Sequence, residues 1–200
     1  MADIERLQKN LTSNGFRSSF FQTKEEAAKY ICDSIHNKTV GFGGSKTIEE
    51  LGLYEQLSED NQVSWHWKQD PDEARKQAAV ADVYISSVNG ISETGVLVNI
   101  DGTGNRLAGT IFGPEKVYFV VGVNKIAPDM EQAIWRARNI AAPMNARRFA
   151  VNTPCVKSKE LRCYDCNSEE RICKGMLLLW RKMDGVKECE VVIINEDLGF

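Results

Sequence analysis

The stretch Ala81–Lys125 reads ADVYISSVNGISETGVLVNIDGTGNRLAGTIFGPEKVYFVVGVNK, and it decides the fold. Two short runs, at 82–88 and 116–122, are rich in Val, Ile, Tyr and Phe, which is the composition of buried strands in a parallel sheet. Six of the fifteen glycines lie between Asn89 and Gly113, interleaved with polar side chains. Because ligands of open α/β sheets bind where parallel strands end, we expect the loops after both runs to line one crevice.

A second glycine-bearing turn lies toward the N-terminus. Residues 39–42, TVGF, form a predicted strand, and the turn Gly43-Gly44-Ser45-Lys46-Thr47 leads from it into a helix. Such a turn exposes backbone N–H groups beside the positive end of the helix dipole, so a phosphate or carboxylate is a plausible ligand. The alternative is an ordinary capped connection between a strand and a helix.

These segments carry a resemblance to a known family. The run ISETGVLVNIDGTGNRLAGTIFGPEKVYFVVGVNKI at 91–126, with GFGGSKT at 41–47 and EDLGF at 196–200, resembles the LUD-domain family of bacterial lactate utilization proteins. The resemblance spans nearly the whole chain. It implies a Rossmann-like fold related to ribose-5-phosphate isomerase, glucosamine-6-phosphate deaminase and the CoA transferases.

The alternation of strand and helix patterns predicts an α/β fold with a mostly parallel sheet flanked by helices. A length of 200 residues with 42% hydrophobic content suits one domain over residues 1–200. VSWHWK at 63–68 is a further predicted strand. The apolar runs 176–183 and 186–194 flank Asp184-Gly185, a favoured hairpin dipeptide, and predict a C-terminal antiparallel hairpin.

Four of the six cysteines lie within nineteen residues, in the polar segment 154–175 that precedes the predicted hairpin. Their spacing is C-x7-C-x2-C-x6-C, and neighbouring lysines and arginines favour thiolates. We predict that they ligate a metal centre. Four thiolates suit both a [4Fe–4S] cluster and zinc; the redox metabolism that the resemblance implies favours the cluster, with zinc or metal-free thiols as alternatives. The predicted ligands are Cys155, Cys163, Cys166 and Cys173.

Composition limits the partners. A net charge of −3 argues against a nucleic-acid partner, which requires a basic face. No apolar run approaches the roughly 20 residues of a membrane helix, and residues 1–16 hold no apolar signal core, so we expect a cytoplasmic protein with reduced cysteines. The expected ligand is a small anionic molecule. The resemblance implies other lactate-oxidation subunits as partners, and self-association into a homo-oligomer stays open.

Only two histidines are present, which disfavours a histidine triad. Glu93, in the loop sequence SETG, is the predicted base or nucleophile, and its alternative role is to fix that turn. The arginines on or near the helix after Pro128 could hold an anionic ligand or an acidic partner, but we expect them to face solvent; they are Arg136, Arg138, Arg147 and Arg148. The residues predicted to contact the anion are Gly43, Gly44, Ser45, Thr47, Asn89, Thr94, Gly95, Thr103 and Lys125.

Three hypotheses about function follow. The first is a redox-associated subunit, with a metal centre, for oxidation of lactate or a related 2-hydroxy acid. The second is a separate isomerase or CoA-transferase-like enzyme that uses Glu93 on a phosphorylated or CoA-linked substrate. The third is a non-catalytic binding module with structural zinc.

Overall fold

The computed structural model describes residues 2–200, which form two β-sheets with helices packed around them. The strands are β1 (Arg17–Phe21), β2 (Thr39–Phe42), β3 (Gln62–Ser64), β4 (Val83–Ser86), β5 (Gly90–Ser92), β6 (Leu97–Asp101), β7 (Lys116–Gly122), β8 (Ile126–Ala127), β9 (Gly175–Leu179) and β10 (Glu188–Ile194). The helices are α1 (Ile4–Ser13), α2 (Lys24–Cys32), α3 (Lys46–Leu51), α4 (Leu53–Leu57), α5 (Pro71–Ala79), α6 (Asn105–Gly109), α7 (Met130–Arg136), α8 (Ala142–Arg148) and α9 (Pro154–Lys157). A 3-10 turn covers Val123–Lys125, and a π-helical stretch at Ala137–Ala141 joins α7 to α8.

The larger sheet has the strand order β1-β10-β7-β4-β2-β3, and each neighbouring pair is parallel. Helices cover both of its faces, which is why β4, β7 and β10 are apolar along almost their whole length. Two apolar clusters fill the space on the two faces, one around Phe42 and Tyr118 and the other around Tyr84 and Phe119. The predicted α/β fold with a mostly parallel sheet is confirmed.

The smaller sheet has the order β8-β5-β6-β9 and is mixed. Strands β5 and β6 are antiparallel, β9 is antiparallel to β6, and β8 is parallel to β5. Helix α7 packs closely on this sheet, since a Cβ at Gly90 would lie 2.6 Å from the Ala133 carbonyl oxygen. The run VLVNI thus contributes strand β6 of this second sheet, and the loop 101–105 that follows it borders the outer edge of the crevice described below.

The predicted C-terminal hairpin is wrong. Strand β9 pairs with β6 in the smaller sheet, whereas β10 lies between β1 and β7 in the larger one. Asp184-Gly185 thus lies on a connection between two sheets. The physical reason lies in β10, where residues 189–194 are all buried; a hairpin strand with one wet face would alternate apolar and polar residues, whereas a central parallel strand does not.

The strand predicted at 63–68 ends at Ser64. A turn follows, held by the Gln69 side chain, which accepts a hydrogen bond from Trp65 N and donates one to the Val63 carbonyl. This turn brings Trp67 against Trp65, with ring centroids 5.4 Å apart. None of the helices in residues 2–200 combines the length and the apolar character that crossing a membrane requires.

Candidate functional site

The loops after β2, β4 and β7 meet at one edge of the larger sheet, because parallel strands end on the same side. The loops after β2 and β4 border a cleft of about 690 Å³, within the range of small-molecule sites. We call it the outer cleft. An inner pocket opens beside it and shares with it Gly44, Trp67, Asn89, Arg106 and Asn145. The inner pocket is completed by Ser45, Lys46, Thr47, Ser87, Val88, Lys125 and Phe200.

Lys125 is the buried amine of the inner pocket. It ends the 3-10 turn that follows β7, and the residue is 3% exposed. Its Nζ donates hydrogen bonds to Thr47 Oγ1 at 2.6 Å and to Ser87 Oγ at 2.9 Å. Burial, reinforced by Arg136 and Arg106, holds the pKa of Lys125 well below its ordinary value.

Arg106, on α6, is a second buried cation at the same place. Its guanidinium donates to the Asn99 and Asn89 side-chain oxygens and to the carbonyl oxygens of Ser87 and Ile100. None of these acceptors carries a charge. Burial lowers the pKa of Arg106, and its positive charge has no ion pair among residues 2–200.

Arg136, at the end of α7, is the third buried basic side chain of the site. Its Nε donates to the Asn124 carbonyl at 2.8 Å and its Nη1 to the Asn89 carbonyl at 2.6 Å. Burial lowers the pKa of Arg136 to about 10. The expectation that Arg136 faces solvent is wrong, because it is 8% exposed and ties α7 to the loops of the crevice.

The glycine-rich turn lies against these groups. A Cβ at Gly43 would stand 2.7 Å from Ser86 Oγ and 2.9 Å from Arg106 Cγ, so only glycine allows this approach. Gly44 borders both the outer cleft and the inner pocket. Ser45 caps α3, since its Oγ accepts from Ile48 N at 3.3 Å. The turn therefore both starts a helix and borders the pocket.

The outer cleft has a basic rim. The guanidinium of Arg148 stacks 4.5 Å from the Trp67 ring centroid, and Thr103 also lines the cleft. Burial, followed by the charge of Arg75, lowers the pKa of His66, so this imidazole is neutral at pH 7. The remaining charged residues of the cleft are Asp101, Glu169, Glu170, Arg171 and Lys174.

The SETG loop turns away from the crevice. The Glu93 carboxylate accepts hydrogen bonds from Asp3 N at 2.9 Å and from Arg6 Nη1 at 3.3 Å, at the start of α1. Asn14 Nδ2 donates to the carbonyl oxygens of Thr94 and Gly95. These contacts favour the turn-fixing role of Glu93 over the catalytic one, and they place Thr94 and Gly95 beside α1 instead of beside Lys125.

We expect Glu93→Gln to lower the free energy of unfolding by about 1–2 kcal/mol, because a neutral amide replaces a largely buried carboxylate that accepts two hydrogen bonds. Urea unfolding measures this loss. Glu5→Gln, an exposed change on α1, is the matched control and should have little effect. Unchanged stability together with lost ligand binding in Glu93→Gln would instead support the catalytic role.

The four cysteines of the segment 154–175 all line one small cavity between that segment and α8. Arg138 Nη2 lies 3.7 Å from Cys163 Sγ, and Thr153 Oγ1 lies 3.2 Å from Cys155 Sγ. Arg171 binds the segment internally through the carbonyl oxygens of Cys166 and Cys173. The polar sequence thus folds so that its thiols face a common space.

Four cysteine thiols are the right type of ligand for a thiolate-ligated metal centre. Across residues 2–200, however, no three His, Cys, Asp or Glu side chains stand in an arrangement that ligates a metal ion. The thiols converge without forming a ready coordination site. Arg171, Ile172 and Cys173 border both this cavity and the outer cleft, so the two are separated by a single stretch of chain.

For two residues of the site, Arg136 and Ser87, the sequence holds only weak signals of their role. Arg136 adjoins the helix face of Ala133 and Ala137, which are fully buried, and that small-residue face marks close packing. Ser87 is a polar residue at the end of a buried strand, a place where polar groups serve ligands.

Comparison with known proteins agrees with this architecture. The crystal structure of a DUF162 family protein from Deinococcus radiodurans superposes with a TM-score of 0.57 at 12% sequence identity, covering 96% of this chain and 95% of that chain. This likeness concerns the fold. No curated protein matches the sequence. The LUD domain profile matches residues 4–194, nearly the whole chain. The protein therefore belongs to the LUD domain family.

Proposed function

We propose that this LUD domain protein binds a small carboxylate or phosphate anion in its inner pocket and takes part, with a metal centre on its four-cysteine segment, in oxidation of lactate or a related 2-hydroxy acid. Other subunits of that oxidation are the proposed partners. The observation that carries the proposal is the buried basic cluster of Lys125, Arg106 and Arg136. We call it the buried cation cluster, because both guanidinium groups are charged and an anion in the pocket favours the protonated form of Lys125.

Burial of positive charge without a paired acid is costly, so a protein retains it where an anion binds. Within residues 2–200, none of the three cations forms a salt bridge, and the hydrogen-bond acceptors of each are hydroxyl, amide or carbonyl oxygens. Free donors add to the charge, because the Nδ2 groups of Asn89 and Asn145 make no hydrogen bond within the same residues. The inner pocket thus offers a carboxylate both a positive electrostatic potential and free hydrogen-bond donors.

The metal centre is proposed from the convergence of Cys155, Cys163, Cys166 and Cys173 on one cavity. Those four residues would hold it, and a [4Fe–4S] cluster there would supply one-electron redox chemistry. Arg138 and Arg171, which contact the segment, offset the negative charge of a thiolate set. Zinc in the same place would make the segment structural.

Thermal unfolding with a panel of anions tests the binding half of the proposal. Oxalate, pyruvate, lactate and inorganic phosphate stabilise the folded state if they bind it, by an amount that grows with their concentration. We expect at least one of the carboxylates to raise the unfolding midpoint, and chloride at equal ionic strength to leave it unchanged. No response to any of the four anions would contradict the proposal.

Metal analysis of protein purified without oxygen tests the other half. We expect a brown protein with about four irons per chain, and loss of the colour in Cys163→Ser with the fold retained. Cys32→Ser is the matched control, because Cys32 lies on α2, outside the segment. Stoichiometric zinc would assign a structural metal instead, and a colourless, metal-free chain would remove the centre.

A further inference from the structure

The Lys125 amine has a hydrogen-bond arrangement that suits an uncharged nitrogen. The Thr47 hydroxyl donates its own proton to the Leu198 carbonyl at 3.2 Å. The Ser87 hydroxyl donates to Thr47 Oγ1 or to the Val88 carbonyl, at 3.4 and 3.5 Å. Both hydroxyl oxygens therefore accept from Nζ, at 2.6 and 2.9 Å.

A neutral amine has two N–H donors and one lone pair. Both donors of Lys125 are used by the two hydroxyls, and the lone pair is left for reaction. An ammonium group would carry a third N–H, and no carboxylate lies within salt-bridge distance of Nζ among the residues described. Arg136 and Arg106 supply like charge nearby, while Glu50 is a weaker opposing influence.

The amine also faces space that a ligand can enter. It lines the inner pocket, which continues into the outer cleft along Gly44, Asn89 and Asn145. A carboxylate beside Asn89 and Asn145 would lie in the field of Arg106. An adjacent carbonyl carbon could then lie next to Nζ, which is the geometry of a 2-oxo acid, the product of 2-hydroxy acid oxidation.

We propose that Lys125 is a nucleophile that forms an imine with a 2-oxo acid bound in the inner pocket. The Nζ lone pair bonds to the carbonyl carbon and the carbonyl π pair moves to oxygen, giving a carbinolamine. Both amine protons then pass to that oxygen, which leaves as water while the C=N bond forms. The Ser87 and Thr47 hydroxyls, which contact Nζ, are placed to relay these protons. The inference rests on the proposed anion pocket and is independent of the metal.

The desolvated position supports the chemistry. Burial and the neighbouring guanidinium groups hold the pKa of Lys125 well below its ordinary value, so a larger share of this amine is uncharged at a given pH than of an exposed lysine. An exposed lysine, with a pKa of ~10.4, is deprotonated in only about one molecule in 2,500 at pH 7. Lys125 should therefore react in preference to the exposed lysines of the chain.

Reductive trapping tests the inference. The full chain is incubated with pyruvate and sodium cyanoborohydride at neutral pH, and adducts are located by intact-mass and peptide mass spectrometry. We expect one reduced adduct per chain, on Lys125, formed at least roughly tenfold faster than on any other lysine. Acetone, which has the ketone but no carboxylate, should label Lys125 far more slowly.

Two variants complete the test. Lys125→Met should lose the adduct while its unfolding midpoint shows an intact fold. Lys38→Met, changed just before β2 at the opposite edge of the sheet, should keep it. Equal labelling of wild type and Lys125→Met would overturn the inference. If oxalate binds but pyruvate yields no adduct, imine formation is excluded and anion binding in the inner pocket is supported. If neither anion binds, both the imine and the anion pocket are contradicted.

Discussion

Arg106→Met is expected to lower the free energy of unfolding by about 3–5 kcal/mol. The guanidinium, on a residue that is 9% exposed, donates hydrogen bonds to four acceptors, two in the connection between β4 and β5 (Ser87 and Asn89) and two on β6 (Asn99 and Ile100). Methionine fills much of the volume but removes the charged donor from all four oxygens. Asn99 Oδ1 then has no donor among residues 2–200, whereas Asn89 Oδ1 and the Ser87 carbonyl keep weaker neutral donors from Ile100 N and Ser86 Oγ. A buried acceptor left without a donor costs about 1–3 kcal/mol, and losing a hydrogen bond to a charged group adds to that cost. Urea unfolding followed by circular dichroism measures the loss.

Arg147→Met is the matched control, since Arg147 is exposed on α8 and should change stability by less than about 0.5 kcal/mol. Arg106→Lys should recover only part of the loss, because one ammonium group cannot reach four acceptors arranged around a planar fork. A decrease below about 1 kcal/mol in Arg106→Met would show that the acceptors find water and that the buried network is not a structural centre.

Lys125→Met is expected to act in the opposite direction and raise the free energy of unfolding by about 1–3 kcal/mol. The amine is desolvated, surrounded by like charge, and held only by two hydroxyl oxygens that keep their other hydrogen bonds. An apolar side chain of similar length removes that cost. A residue that destabilises its own protein in this way is explained by its task in the pocket.

The gain in the free energy of unfolding of Lys125→Met should depend on pH. The ordinary pKa of lysine, 10.5, applies to the unfolded chain, and the pKa of Lys125 in the folded chain lies well below it. Between the two values the unfolded wild type binds a proton that the folded wild type does not, so wild-type stability rises with pH across this window. The advantage of Lys125→Met should therefore shrink as the pH rises through this window toward 10.5. A pH-independent difference would contradict a desolvated amine.

Sequence reasoning recovered the main sheet because β4 and β7 are continuous apolar runs, a pattern that points to burial on both faces. The hairpin prediction failed for a related reason. β10 carries the same buried pattern, but Asp184-Gly185 is locally indistinguishable from a hairpin turn, and which sheet a strand joins depends on contacts far away in sequence.

The common edge at which the strand-end loops meet could be predicted for the same reason. Loops at strand ends, such as those holding Gly44 and Lys125, follow from the order of strands and helices. Glu93 follows a strand of the second sheet, which runs away from the crevice, and a linear sequence does not reveal that direction. Arg136 lies on a helix whose buried face became visible only once the smaller sheet was in place.

Isothermal titration with oxalate tests the central claim most directly, namely that the buried cation cluster binds a small carboxylate. Oxalate has no ketone, so its binding is separate from imine formation, and its charge favours the protonated amine of Lys125. We predict a wild-type dissociation constant below about 1 mM, weakened at least roughly tenfold in Lys125→Met and unchanged in Lys9→Met, an exposed change on α1. Equal affinity in all three proteins, or no binding by the wild type, would contradict the account.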